Sequence, residues 1–155
     1  MSYGKSLRII IMGTIASVVS LWEVSHTLGC SAAGDEDLIP VLRHGLHFSA
    51  LEKTMEAFHL TGEEITQILA IPQRTLIRRK QQKRLTADES DRLFRLTRVM
   101  AHAEQVFDDR SKAAEWFHRP NRALKGEVPL YLMDSDIGTT QVDDVLGRIE
   151  HGIFS

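Results

Sequence analysis

A single cysteine, Cys30, excludes an intramolecular disulfide framework and fits a reducing, cytoplasmic setting. No cluster of Cys and His has zinc spacing, and His44-x-x-His47 is a poor ligand pair that reads as loop histidines. No apolar run reaches the roughly 20 residues of a membrane-spanning helix. The uncharged stretch from Ile9 to Trp22 falls short of that and is interrupted by Thr14, Ser17 and Ser20. Lys5 and Arg8 before it, and Cys30 behind Leu28-Gly29, give it a superficial likeness to a lipoprotein signal. Glu23 and His26 fall where such signals are apolar and argue against export. The alternative is an N-terminal helix that packs on the body or on a twin subunit, with Met12 as a second candidate start. Catalytic patterns are absent as well: there is no Ser/His/Asp order, phosphate loop or metal spacing, so neither an enzyme nor a cofactor is expected. Asp134/Asp136 and Asp143/Asp144 are carboxylate pairs, but both read as turn or cap residues.

The most informative absence is of acid. Between Gln73 and Arg84 there is none, against six cations: Arg74, Arg78, Arg79, Lys80, Lys83 and Arg84. The chain of 155 residues has a net charge of −2; without those six it holds 13 basic and 21 acidic residues, a net of −8. A mildly acidic body thus carries one concentrated basic strip, and like charges so crowded call for an anionic partner. The strip follows a capped helix. Thr61 and Glu64 have capping-box spacing, and Ile65, Ile68 and Leu69 share one face. Pro72 should end that helix near Ala70 and open the next. Leu76 and Ile77, the strongly apolar residues of the second helix, are expected to anchor it. Two short helices at a turn, the second basic, is the helix-turn-helix layout for reading a major groove. Gln73, Arg74, Thr75, Arg78 and Arg79 are best placed for base edges, since Gln pairs with adenine and Arg with guanine. For Thr75 a packing role is equally open. Lys80, Lys83 and Arg84 are placed for phosphates. Such proteins pair on near-palindromic operator DNA, so a homodimer is the default.

The rest is helical by pattern. Gly29 to Asp37 reads as a linker, and Leu38 to His44 as a short helix stopped by Gly45. Ser49 and Glu52 have capping-box spacing ahead of the stripe Leu51, Met55, Phe58. Thr86 and Glu89 cap a long helix to about Phe107, with Leu93, Leu96, Met100, Ala103 and Phe107 on its buried side. Arg92, Arg95 and Arg98 lie off that stripe and either extend the basic surface or pair with Asp88 and Asp91. Short helices are expected over Ser111–His118 and, opened by Pro129, over Leu130–Met133. The last helix is placed at Gln141–His151, started by Thr140/Asp143, with Val142, Val145, Leu146 and Ile149 inward and Gly152 as its stop. Ile153-Phe154-Ser155 either tuck into the core or reach a partner.

Six strings, in three groups, carry a resemblance that covers roughly Leu38 to Phe154. They are I-P-Q-R-T-L-I-R-R-K (71–80) running into R-L-T-A-D-E-S-D-R-L-F-R-L-T-R-V (84–99); A-E-Q-V-F-D-D (103–109), K-A-A-E-W-F (112–117) and R-P-N-R-A-L-K-G-E-V-P-L (119–130); and G-T-T-Q-V-D-D-V-L-G-R-I-E-H-G-I-F (138–154). Together they resemble the Xre/MbcA/ParS-type antitoxins, partners of RES-domain toxins. Ala70 departs from the glycine common in such turns, Lys125-Gly126 stands where the family often has two glycines, and residues 1 to about 30 match nothing.

The chain is therefore expected to be all-α in three parts: a segment 1–37 that is a candidate dimer contact because it is apolar and outside the motif region, a helix-turn-helix region 38–107, and a C-terminal domain 108–155 that the resemblance implies is toxin-binding. The resemblance implies a RES toxin akin to the ADP-ribosyltransferases that consumes NAD, and an antitoxin whose C-terminal domain covers the toxin's active-site cleft. It also implies that the antitoxin or its complex binds and represses its own promoter. Arg148, Ile149, Gly152, Ile153 and Phe154 are the candidate toxin-binding residues, with plain folding as the alternative for each. A stand-alone helix-turn-helix regulator, whose C-terminal domain senses a small ligand or dimerises, is the competing function.

Overall fold

A computed structural model describes residues 35–152. The N-terminal segment with Cys30 and most of the candidate dimer contact, and the candidate partner residues Ile153 and Phe154, lie outside the described residues. The described residues form eight α-helices: α1 Asp35–His44, α2 Phe48–Phe58, α3 Gly62–Leu69, α4 Gln73–Gln82, α5 Ala87–Phe107, α6 Arg110–Phe117, α7 Pro129–Leu132 and α8 Asp136–Glu150. A 3-10 turn at Arg122–Leu124 precedes α7, and no strand occurs among the described residues. The described residues are all-α, as their periodicity predicts.

The 21-residue α5 is the axis. At about 1.5 Å per residue it spans about 30 Å, long enough to serve both halves of the chain. Helices α1, α2 and α3 pack against it from the N-terminal side, and α6 and α8 from the C-terminal side. Its inward stripe of Leu93, Leu96, Val99, Met100 and Ala103 is buried in a single core that also takes in Leu51, Ile65, Leu69, Phe117, Leu130 and Leu146. Phe107, at the end of the stripe, is only half-buried and lies against Trp116, their ring centroids 5.8 Å apart.

Two of the capping boxes form as their spacing predicts. Thr61 N donates to Glu64 Oε2 (2.8 Å) while Glu64 N donates to Thr61 Oγ1 (3.2 Å). Thr86 and Glu89 repeat the exchange at 2.8 and 3.3 Å. The Ser49/Glu52 box does not form. Helix α2 begins one residue earlier, at Phe48, because its entry is fixed by distant backbone: Phe48 N donates to Lys83 O (3.1 Å) and Leu85 N to Leu46 O (2.9 Å). Gly45, at φ +96°, ends α1 as expected, and a Cβ there would lie 2.1 Å from Leu85 O.

Helix α8 also starts earlier than Gln141. Ser135 Oγ accepts from Gly138 N (3.1 Å), so the helix opens at Asp136 and Thr140/Asp143 lie inside it. Helix α6 opens at Arg110, one residue before the expected Ser111, because Asp109 Oδ1 accepts from Lys112 N (2.9 Å).

Candidate nucleic-acid interface and partner surface

The turn between α3 and α4 is made without glycine. Ala70 takes the left-handed conformation itself, at φ 53°, which costs an L-residue about 1 kcal/mol. Its N–H and that of Ile71 satisfy Gln67 O and Thr66 O at the end of α3. Arg92 NH1 donates to a third free carbonyl, Leu69 O, at 2.6 Å, so this arginine of α5 secures the turn. Pro72 then supplies the first carbonyl of α4, accepting from Thr75 N at 2.9 Å.

At about 100° per residue, the side chains of α4 divide into two arcs. Leu76 is buried and fixes the inner arc, which Thr75 and Arg79 share, both half-buried. The outer arc carries Gln73, Arg74, Ile77, Arg78 and Gln81, all exposed. The expectation that Ile77 anchors the helix is therefore corrected: it stands 53% exposed on the outer arc. Of the two apolar residues of α4, Leu76 alone is buried.

The expected DNA contacts separate along the same line. Arg74 and Arg78 are exposed and have no hydrogen bond or ion pair among the described residues. Gln73 lies at the start of the outer arc beside Gly62. Arg79 turns inward, its Nε donating to Glu89 Oε1 (3.0 Å) and Oε2 (2.8 Å) and its NH1 to Gln82 Oε1 (2.9 Å). Burial pushes the Glu89 carboxyl up, but hydrogen bonds from Arg79 and the Thr86 backbone, with the charge of Arg79, outweigh it and hold it below the usual carboxylate range. Arg84 is half-buried, and its NH1 donates to Gly45 O at 2.7 Å. Lys80 is exposed within 3.7 Å of Glu52. Lys83, exposed, closes α4 at φ 59°.

The three arginines of α5 resolve differently. Arg92 holds the turn, Arg95 pairs with Asp91 (3.4 Å) and Asp136 (2.9 Å), and Arg98 is exposed.

In the C-terminal half, Arg148 is exposed and Ile149 half-buried against the core. Gly152, at φ +67°, follows α8 with its N–H on Ile149 O (3.1 Å). Two apolar side chains that sequence reasoning passed over are exposed here: Tyr131 on α7 (49%) and Ile137 (75%). With α8 begun at Asp136, Ile137 falls roughly opposite the Val142/Val145/Leu146 stripe; a later start hid that phase.

Also missed was His102, between α5 and α8. Its Nδ1 lies 2.7 Å from Asp143 Oδ1 and its Nε2 3.3 Å from Glu150 Oε2. The Asp143 hydrogen bond raises the imidazole above its ordinary value; burial opposes this, and the charges of Asp143 and Glu150 reinforce it. No three His, Cys, Asp or Glu among the described residues could hold a metal ion, and no described helix is long and apolar enough to cross a membrane.

Residues 37–98 match the antitoxin Xre-like helix-turn-helix domain, and residues 102–152 the antitoxin Xre/MbcA/ParS C-terminal toxin-binding domain. An "Antitoxin Xre" of Photorhabdus laumondii is 36% identical over 137 residues, covering 87% of this chain and 90% of the relative. One of Pseudomonas putida is 38% identical over 121 residues, 77% of this chain and 75% of the relative. A Sphingobium protein named "Prs ADP-ribosylating antitoxin" is 24% identical over 133 residues, 79% and 84% respectively.

Proposed function

The chain belongs to the Xre family of antitoxins, with a helix-turn-helix and a toxin-binding domain; from that premise we propose that it neutralises a RES-domain, NAD-consuming toxin and represses its own operon through α4. The C-terminal half covers the toxin's active-site cleft, and Arg148, Ile149, Gly152, Ile153 and Phe154 are the residues proposed to meet it. The family match supports a toxin partner, and the ADP-ribosylation in one relative's name supports the class of chemistry. On DNA the chain acts as a homodimer, with the N-terminal segment as the proposed contact.

The observation that carries the DNA half is the division of α4. Arg74 and Arg78 stand free on the outer arc beside Gln73, whereas Arg79 is committed to Glu89. Gln73, Arg74 and Arg78 are therefore the proposed base readers, and Lys80 and Lys83 the proposed phosphate contacts. Arg84 and Thr75 serve first to hold the helix, and Arg79 acts on DNA only through the position it gives α4.

Arg74→Ala with Arg78→Ala tests the division of labour. Operator binding in a mobility-shift assay should be lost while protection of cells co-expressing the toxin, scored by growth and NAD level, is kept. Loss of both activities in a variant with an unchanged melting curve would show that the two surfaces are not separate. A neighbouring gene product that neither binds the chain nor depletes NAD would overturn the toxin assignment.

A further inference from the structure

Ile77 is out of place by every rule that explains the other residues of its helix. Burial does not account for it, since it stands 53% exposed and outside the core. Helix propensity does not either: its neighbours Arg78, Arg79, Lys80, Gln81 and Gln82 are all better helix formers than a β-branched residue. Its position is central. Gln73 lies one turn before it and Gln81 one turn after, with Arg74 and Arg78 flanking it on the same exposed arc. A polar, cationic face thus carries one apolar side chain at its middle.

Resting on the reading of α4 as a DNA-binding helix, we propose that Ile77 is a specificity residue that receives the C5-methyl group of a thymine in the major groove. The groove floor offers donors and acceptors to Gln and Arg, and the thymine methyl is the apolar feature it presents. The surroundings favour this occupant over others. Arg74 and Arg78, both without partners among the described residues, flank Ile77 with positive charge and complement a phosphate-lined groove. A second copy of the same face would bring those cations against one another, and an apolar protein surface would have to desolvate them. In the groove the guanidinium groups keep hydrogen-bond partners while the Ile77 side chain loses water.

The test uses the full chain and a pool of randomised duplex DNA. Sites enriched by the wild-type protein are resynthesised with each thymine replaced in turn by uracil, which removes only the methyl group. At one position uracil should weaken the wild type about fourfold, the worth of one buried methyl group. Ile77→Ala should bind the thymine and uracil duplexes alike there, and Ile77→Val should keep the preference. Because Ile77 is outside the core, the variants should melt with the wild type. Equal sensitivity of wild type and Ile77→Ala at every thymine would overturn the proposal and leave DNA binding by α4 standing. No enrichment of any duplex by the wild type would overturn both.

Discussion

Arg79 Nε bridges both oxygens of the Glu89 carboxylate, at 3.0 and 2.8 Å, and the same Glu89 Oε2 accepts from Thr86 N at 2.8 Å. One carboxylate thereby caps α5 and grips α4. The side chains of the pair are 14% and 5% exposed, so the contact is largely out of water. The helix proposed to meet DNA is thus aimed from behind by one of its own cations, and that cation is subtracted from the proposed groove-facing set.

Replacing Arg79 by Ala should destabilise the fold by about 2–4 kcal/mol, because it strands a buried carboxylate. Arg78→Ala, on the exposed arc, should stay within about 0.5 kcal/mol of wild type. Urea denaturation of both variants decides the matter. Two neighbouring arginines with equal effects would mean that the Glu89 contact contributes nothing.

The same pair makes an acid limit. Glu89 has its carboxyl held low in the folded state, so its contribution is complete above the ordinary carboxylate value of about 4.3 and is lost as pH falls below it. Acid titration of stability should therefore show a steeper loss below that value in wild type than in Glu89→Gln. Parallel curves would remove the argument.

What could be read from the chain was what is local. Thr61/Glu64 and Thr86/Glu89 cap helices through atoms three residues apart, and the spacing alone foretold them. Ser49/Glu52 has the same spacing but forms no box, since the start of α2 is fixed by Lys83 O, which no local pattern reveals. The inward phase of Arg79 was implicit in Leu76, three residues before it, but composition made it look like one more free cation. His102 meets Asp143 across 41 residues and Glu150 across 48, beyond the reach of periodicity. Function was legible for a different reason: the family strings run from the helix-turn-helix at 71–99 through the C-terminal half to 154, and matching them needs no knowledge of which distant residues meet.

Two glycines of α8 predict opposite outcomes. At Gly138 a Cβ would lie 1.8 Å from Leu132 O and 2.8 Å from its carbonyl carbon, both backbone atoms that cannot swing aside. Gly138→Ala should cost about 3 kcal/mol or more and loosen the corner between α7 and α8. At Gly147 a Cβ meets nothing within 4 Å inside a regular helix. Gly147→Ala should gain up to about 1 kcal/mol, raising the melting temperature by about 3 °C. Thermal melts of the two variants side by side suffice, and a stabilised Gly138→Ala would refute the packing of that corner.

The docking of α8 on α5 should also depend on pH, in the direction opposite to the Glu89 limit. His102 lies between Asp143 and Glu150 and is raised above its ordinary imidazole value of about 6.5. Its charged form is therefore bound more tightly in the folded chain. The stabilisation is complete below about pH 6.5 and drains away as pH rises through the raised folded-state value. Helix α8 carries Arg148 and Ile149 and is followed by Gly152, so what loosens it loosens the proposed toxin-binding end. The melting-temperature gap between wild type and His102→Gln should be widest at pH 6 and close toward pH 9, with hydrogen exchange in α8 rising over the same interval in wild type only. A gap that stays constant across that range would mean that the imidazole acts as a neutral hydrogen-bonding spacer, and that the two carboxylates do not hold its proton.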